Sequence, residues 1–307
     1  MQSKPILGAA FYAASVLLLA ILDLLIKLST DYTSDFLFVV AFRFLIGLAL
    51  ITVLDWIIQS RSTVPAVKRA PEKKLSALFF LGMRSFSLAS MMVFFFLALK
   101  YVSLTTVTSI ALLSPIITFF SGMLLFNETL HRSALFALFL AVLGAVVLVG
   151  FDYGTTPTVG LTFALIGSIS ITTYVVFSKL TMRYMTEHRM LKSTYVIVGA
   201  LTLTFFLVFG DPSSISTPDI YPVLFAMAVV GCLSNYLAAY GVKRIELNQI
   251  ACWDCTIFFW ALCFDVFLLS EQITLANVAG AALICTSAIL ISRTKRRYEA
   301  GETISLS

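Results

Sequence analysis

Ten runs of roughly 20 apolar residues divide the chain, and each can cross the hydrocarbon core of a bilayer as a helix rising ~1.5 Å per residue. They fall near 6–28, 36–58, 75–99, 103–126, 133–151, 159–180, 191–210, 221–241, 248–270 and 274–292. In hydrocarbon every backbone N–H and C=O must be satisfied within the protein, which leaves helices and closed barrels as spanning structures. Barrel strands alternate polar and apolar residues over about ten positions; these runs are continuous. The expected fold class is therefore all-α integral membrane, with ten transmembrane helices. Composition agrees: 60% of the 307 residues are hydrophobic and 12% are charged, where a soluble domain carries about 25% charge. Mean hydropathy is +0.98. No basic segment with a small-residue cleavage site precedes the first run, so it is expected to persist as helix 1.

The placement of charge sets the expected orientation. The net charge is +5, but the basic residues lie in connections between apolar runs, which argues against a nucleic-acid partner. With a cytoplasmic N-terminus, seventeen Lys and Arg residues fall on inside segments, including Arg61, Lys68, Arg69, Lys179, Arg183, Lys243 and the tail residues Arg293 to Arg297. Only Lys27 and Lys100 fall at outside edges. The positive-inside rule then places both termini in the cytoplasm. The plain reading of these loop charges is topology and contact with membrane lipid.

The second half of the chain echoes the first. Displacing the sequence by half its length puts Gly8 on Gly160, Phe11 on Phe163, Lys27 on Lys179 and Gly47 on Gly199. A slightly shorter displacement puts Lys100 on Lys243, Leu104 on Leu247, Glu128 on Glu271 and Leu140 on Leu283. Charges are rare in these runs, so the charged coincidences carry the argument. The expected units are a five-helix repeat at 1–152, a second at 153–292 and a basic cytoplasmic tail at 293–307. Five is odd, so the second copy enters the membrane from the other side. Inverted repeats of this kind build secondary transporters, with the substrate site near the midplane between the halves.

Ionisable residues inside the runs are the candidate site. Each costs about 2.5–3.5 kcal/mol at the centre of a bilayer and persists where it is paired or borders a wet cavity. Asp23 and Lys27 stand one turn apart on helix 1, and Arg43 lies at similar depth on helix 2. Either this cluster locks two helices together or it contacts an anion or forms an outer gate. Arg84 lies roughly 13 Å along helix 3, too deep to snorkel easily, and Asp254 on helix 9 is its candidate partner. Trp253 beside Asp254 could stack on a flat ligand or a cation. Asp265 lies further along helix 9. Ser170, Tyr174 and Ser178 share one face of helix 6, Asn235 lies in helix 8, and Ser114-Pro115 interrupts helix 4. Each of these polar residues has the alternative of ordinary helix packing.

Other chemistries lack their residues. The five cysteines lie in apolar runs, and Cys252 and Cys255 at i, i+3 have no second Cys or His pair. The only histidines, His131 and His188, are in connections. No metal or cofactor is expected. Motifs for metal hydrolysis, a nucleophile elbow or a nucleotide-binding loop are absent, so an intramembrane enzyme is not favoured. Transport driven by hydrolysis within this chain is not expected either. Glu128 and Glu271 are expected to cap turns at helix ends.

Several stretches together resemble the drug/metabolite transporter superfamily, EamA type, over essentially the whole chain. They are "ILDLLIK" in helix 1, "FRFLIGL" in helix 2 and "ALKYVSLTTVTSIALLSPIITFFSGMLLFNETL" with Pro115 and Glu128; "FLLSEQITLANVAGAALI", with Glu271 and Gly280, is similar to a second copy. That copy carries Phe258 where Pro would align. The Asp, Lys and two Arg positions look most like those of bacterial metabolite carriers, such as those for S-adenosylmethionine and riboflavin. The resemblance implies a non-enzymatic transporter in the bacterial inner membrane, with a small-molecule substrate and a coupling proton or counter-substrate as partners. It implies Asp23, Lys27, Arg43 and Arg84 as substrate-binding residues. The residues themselves add Tyr174, Asn235, Trp253 and Asp254 as candidates. The expected function is secondary-active transport of a zwitterionic or amphiphilic metabolite by alternating access, by a monomer or homodimer. The alternatives are an exporter of the same superfamily and a non-transporting membrane scaffold or sensor.

Overall fold

In the computed structural model the described residues are 5–29, 35–61, 74–99, 101–102, 107, 110–111, 113–128, 132–149, 157–210, 220–268, 278–287 and 289–290. The tail at 293–307, Lys100, His131, Glu271 and the side chains of Lys27 and Asp265 lie outside them. Helices α1 (Pro5–Ser29), α2 (Phe36–Arg61), α3 (Lys74–Leu99), α4 (Leu113–Phe126) and α5 (Arg132–Val149) form the first half. Helices α6 (Thr158–Thr181), α7 (Glu187–Phe209), α8 (Ile220–Val242), α9 (Leu247–Asp254) and α10 (Thr256–Leu268) follow, and then α11 (Val278–Ser287). No strand occurs among the described residues. Among the described residues six helices are long and apolar enough to span a membrane, and α4, α5 and α11 are shorter apolar helices. Leu124 is 79% exposed and Phe209 72%; large apolar side chains facing outward suit contact with lipid, not water. The protein is a multi-pass helical membrane protein.

Two boundaries differ from the sequence expectation for physical reasons. Helix α7 begins at Glu187, because Thr186 accepts a hydrogen bond from the Arg189 N–H (3.4 Å) and Glu187 sits in the first turn. A capped, polar first turn is invisible to hydropathy. The expected ninth helix is interrupted at Cys255. There Thr256 Oγ1 donates to the Trp253 carbonyl at 2.7 Å, a bond that competes with the helical ladder. In the first half the expected break at Ser114-Pro115 is not seen, because Pro115 lies in the first turn of α4, where its missing N–H costs no ladder bond; in the second half the break falls beside Thr256, two residues before Phe258.

The helices pack as antiparallel pairs: α1 along α8, α3 along α6, α2 along α7 and α4 along α9. Close backbone approach makes the pairs. A Cβ on Gly8 would stand 2.6 Å from Arg244 Cβ, and one on Gly144 of α5 would stand 2.7 Å from the Gly280 carbonyl of α11. Small residues at crossings are how membrane helices gain contact when lipid is as apolar as the core. If α6 to α8 correspond to α1 to α3, α9 with α10 to α4, and α11 to α5, exchanging the halves leaves this pairing unchanged.

The core is uneven along the bundle axis. At the end where α1 begins, called the N face, one cluster joins six helices through Tyr12, Val16, Leu81, Val176, Met190, Val242 and Ile250. At the opposite face the described core divides. Leu22, Phe38, Phe206 and Leu224 join α1, α2, α7 and α8, whereas Ala98, Val102 and Ala164 join α3 to α6.

Candidate functional site

Arg84 is 1% exposed, and each of its three guanidinium nitrogens donates to a hydroxyl. Nε bonds Ser178 Oγ at 2.8 Å, one terminal nitrogen bonds Thr194 Oγ1, and the other bonds Tyr174 Oη at 2.9 Å. The guanidinium also lies 4.7 Å from the Tyr174 ring centre. Hydrogen bonds to a charged group contribute about 1.5–3 kcal/mol each, so three of them offset much of the cost of burial. Helical spacing explains the cage: Tyr174 and Ser178 are one turn apart on α6 and meet α3 together. No carboxylate pairs with Arg84 among the described residues. Asp254, expected as its partner, instead accepts a 2.6 Å hydrogen bond from Tyr12 Oη.

From Arg84 the polar contacts continue across the bundle. Tyr174 Oη donates to Asn235 Oδ1 at 3.2 Å, and Asn235 Nδ2 donates to Tyr195 Oη at 3.1 Å and to the Gly231 carbonyl at 2.9 Å. The chain therefore runs α3–α6–α8–α7, linking helices from both halves. Tyr195 stands beside Arg43, whose neighbour Phe44 packs 5.0 Å from the Tyr195 ring.

Arg43 differs from Arg84. It is 7% exposed and lies over the Phe44 ring at 5.0 Å, yet among the described residues its guanidinium donates no hydrogen bond. Gly231 brings α1 and α2 together: a Cβ there would stand 3.5 Å from the side chain of Leu22, the neighbour of Asp23, and 3.9 Å from Arg43 Nε. Asp23 and Arg43 form no salt bridge. Asp23 also lacks a hydrogen-bond partner among the described residues, and its side chain is exposed. On α1, Tyr12, Val16, Leu19 and Asp23 share one face. The first two are buried, whereas Leu19 is 40% exposed. That helix face is thus buried toward the N face and exposed further along.

The structure therefore gathers Arg84, Tyr174 and Asn235 into one network, places Arg43 and the neighbour of Asp23 around Gly231, and joins Asp254 to Tyr12. Trp253 is half-buried and packs against the N-face core. The Lys27 side chain lies outside the described residues, so the expected Asp23–Lys27–Arg43 network is described only for its other two members. Ser170 turns back on the Ile166 carbonyl at 2.8 Å and stays out of the network. Sequence reasoning missed Tyr12, Thr194 and Tyr195. The signal for Tyr12 was its place three turns before Asp23 on the same face; Thr194 and Tyr195 carried none that separates them from packing residues.

At the N face, Glu128 is held between the halves. It accepts from Lys179 Nζ at 2.7 Å and from the Leu247 and Asn248 N–H groups at 2.9 and 3.2 Å. Asn127 has φ 51°, a left-handed turn that asparagine tolerates, and the Glu128 N–H then reaches the Gly122 carbonyl at 3.2 Å. Glu128 does cap a helix end, and that end is the N-terminus of α9, where a negative charge is favourable.

A bundle of antiparallel membrane helices with a charged, hydroxyl-rich interior defines a multi-pass protein of the transporter class. Residues 6–150 and 158–293 each match the EamA-like transporter family, and the chain belongs to it, within the drug/metabolite transporter superfamily. A protein of Helicobacter pylori strain J99, described as an uncharacterized transporter, is 27% identical over 210 residues, covering 66% of this chain and 69% of its own. A solved crystal structure shares the fold at a TM-score of 0.80 and 20% identity, over 97% of this chain and 100% of its own.

Proposed function

We propose that the protein is a secondary transporter of a small zwitterionic or amphiphilic organic solute, working by alternating access between the halves 1–152 and 153–292. The α1 face carries this reading: Tyr12 and Val16 are closed into the core while Leu19 and Asp23 are exposed. A transporter closed at one end and accessible at the other presents that pattern. Exchange symmetry in the helix pairing supports the two-half division, and the charge bias of the connections supports cytoplasmic termini in a bacterial inner membrane. A coupling proton or counter-substrate would complete the cycle. Export as well as uptake fits this arrangement.

The test is counterflow in proteoliposomes loaded with a metabolite panel. Accumulation of a labelled solute above the level in empty liposomes supports the reading. A second reading, a membrane scaffold or sensor, draws on the satisfied cage around Arg84, which a static core would also contain. Absence of counterflow across the whole panel, with folded protein in the vesicles, would favour it.

A further inference from the structure

Among the described residues one ion pair joins the two halves of the chain. It is Glu128 with Lys179, 2.7 Å apart at the N face, with side chains 6% and 19% exposed. The other ion pairs described, Glu187 with Lys243 and with Arg244, stay within the second half. Glu128 follows α4 in the first half, and the second half engages both of its oxygens. Oε1 accepts from Lys179 Nζ and the Leu247 N–H, and Oε2 accepts from the Asn248 N–H. Lys179 also donates to the Ile245 carbonyl at 3.1 Å. The link between α8 and α9 is thus pinned to the ends of α4 and α6.

The surroundings are shaped to this carboxylate. A Cβ on Gly122 would stand 2.5 Å from Glu128 Oε2, so the glycine leaves the space that the oxygen fills. Glu246, the residue before α9, makes no side-chain cap bond, and the first N–H groups of that helix are left to the other half. Ile245 and Leu247 belong to the N-face core, and Phe126 packs against it. The same three residues recur in the sequence: Lys27 aligns with Lys179, Leu104 with Leu247 and Glu271 with Glu128. The Lys27 side chain, Leu104 and Glu271 lie outside the described residues.

From this we infer that Glu128 is the latch of the N face. Its bonds to Lys179 and to the start of α9 hold that face shut and separate before the core behind them opens. The latch rests on the transport reading above and gives it a moving part. Three bonds converge on one carboxylate, so its loss releases α4 from α6 and α9 together. Lys179 is already partly exposed, which makes separating this pair less costly than separating a fully buried one.

The test is thiol labelling of Val16→Cys, within the N-face core, in the full chain lacking its native cysteines and reconstituted in proteoliposomes. A membrane-impermeant maleimide is applied from the N-terminal side. Glu128→Gln should raise the labelling rate about tenfold, a shift of about 1.4 kcal/mol in the balance between shut and open. Lys179→Met should act in the same direction, and Glu128→Asp should fall between Glu128→Gln and the parent. Glu187→Gln, which breaks an ion pair inside one half, should leave the rate unchanged. Leu19→Cys, labelled from the opposite side, should react more slowly once Glu128→Gln is added. An unchanged rate at Val16→Cys overturns the inference, and so does an equal rise with Glu187→Gln. Faster labelling at both positions reports a loosened fold and overturns it too. Wild-type counterflow with unchanged labelling removes the latch and leaves the transport reading. The expected labelling without counterflow of any solute keeps the latch and removes transport.

Discussion

The Tyr12 phenol donates a 2.6 Å hydrogen bond to Asp254 Oδ1 and so ties α1 to the last residue of α9, 242 positions later. The acceptor sits at the point where α9 stops and α10 begins. A helix end inside a bundle leaves backbone carbonyls without ladder partners, and Thr256 takes one of them. The Tyr12 bond adds a side-chain anchor at the same place. It holds the interrupted helix against α1 beside the N-face core.

Removing that anchor should be felt. Tyr12→Phe leaves the half-buried Asp254 carboxylate without its partner and should cost about 1–3 kcal/mol, seen as a lower Tm in detergent. Asp254→Asn keeps an acceptor for Tyr12 and removes a charge that no described basic residue pairs with; its Tm should hold or rise. A larger loss from Asp254→Asn than from Tyr12→Phe would contradict this account.

The Glu128–Lys179 pair should behave as a coupled unit. Lys179 also donates to the Ile245 carbonyl at 3.1 Å. Glu128→Gln and Lys179→Met, singly, should each destabilise by about 2–3 kcal/mol, somewhat below the ~3–5 kcal/mol for breaking a fully buried pair. The double variant should lose less than their sum, because the second substitution removes a charge already orphaned. Additive losses in unfolding experiments would mean that the two residues act independently.

Glycines make a paired prediction. Around Gly82 of α3 nothing stands within 4 Å of an added Cβ, so Gly82→Ala should stabilise by about 0.5–1 kcal/mol through helix propensity. At Gly144 the added Cβ meets a backbone carbonyl of α11 at 2.7 Å. Gly144→Ala should therefore force the helices apart and destabilise by about 1–3 kcal/mol. Opposite shifts in Tm are the expected readout.

Access is testable by thiol labelling on one helix face. In a background lacking native cysteines, Leu19→Cys should react with a membrane-impermeant maleimide added from the face opposite the N-terminus. Val16→Cys, one turn nearer the N face and 3% exposed, should react far more slowly. Equal labelling of both, or labelling from the N-terminal side alone, would reverse the direction of opening argued above.

Much of the fold was legible in the sequence because hydrocarbon is a strict solvent. Runs such as Leu7–Ile26 and Ile220–Val242 have few alternatives to a spanning helix. What was not legible came from polar detail. The start of α7 at Glu187 depends on a Thr186 cap, and the break at Cys255 on one threonine hydroxyl; neither changes the hydropathy trace. In the site, charge rarity pointed to Arg43, Asp23, Arg84 and Asp254 as residues needing an explanation. Their partners were not foreseeable, because hydroxyls serve a guanidinium as well as carboxylates do. Ser178, Thr194 and Tyr174 look like packing residues until α3, α6 and α7 are brought together. Asp254 was matched to Arg84 on depth alone, and depth says nothing about which way two side chains turn.

The carboxylate that caps α9 is made 119 residues before the helix it serves. Helix α9 is only eight residues long, too short to be stable by itself. During synthesis it emerges into a membrane where its cap, presented by the left-handed turn at Asn127, is already waiting. A second half produced on its own would lack that cap, so co-expressing the halves as separate chains should rescue a product that neither half alone can form.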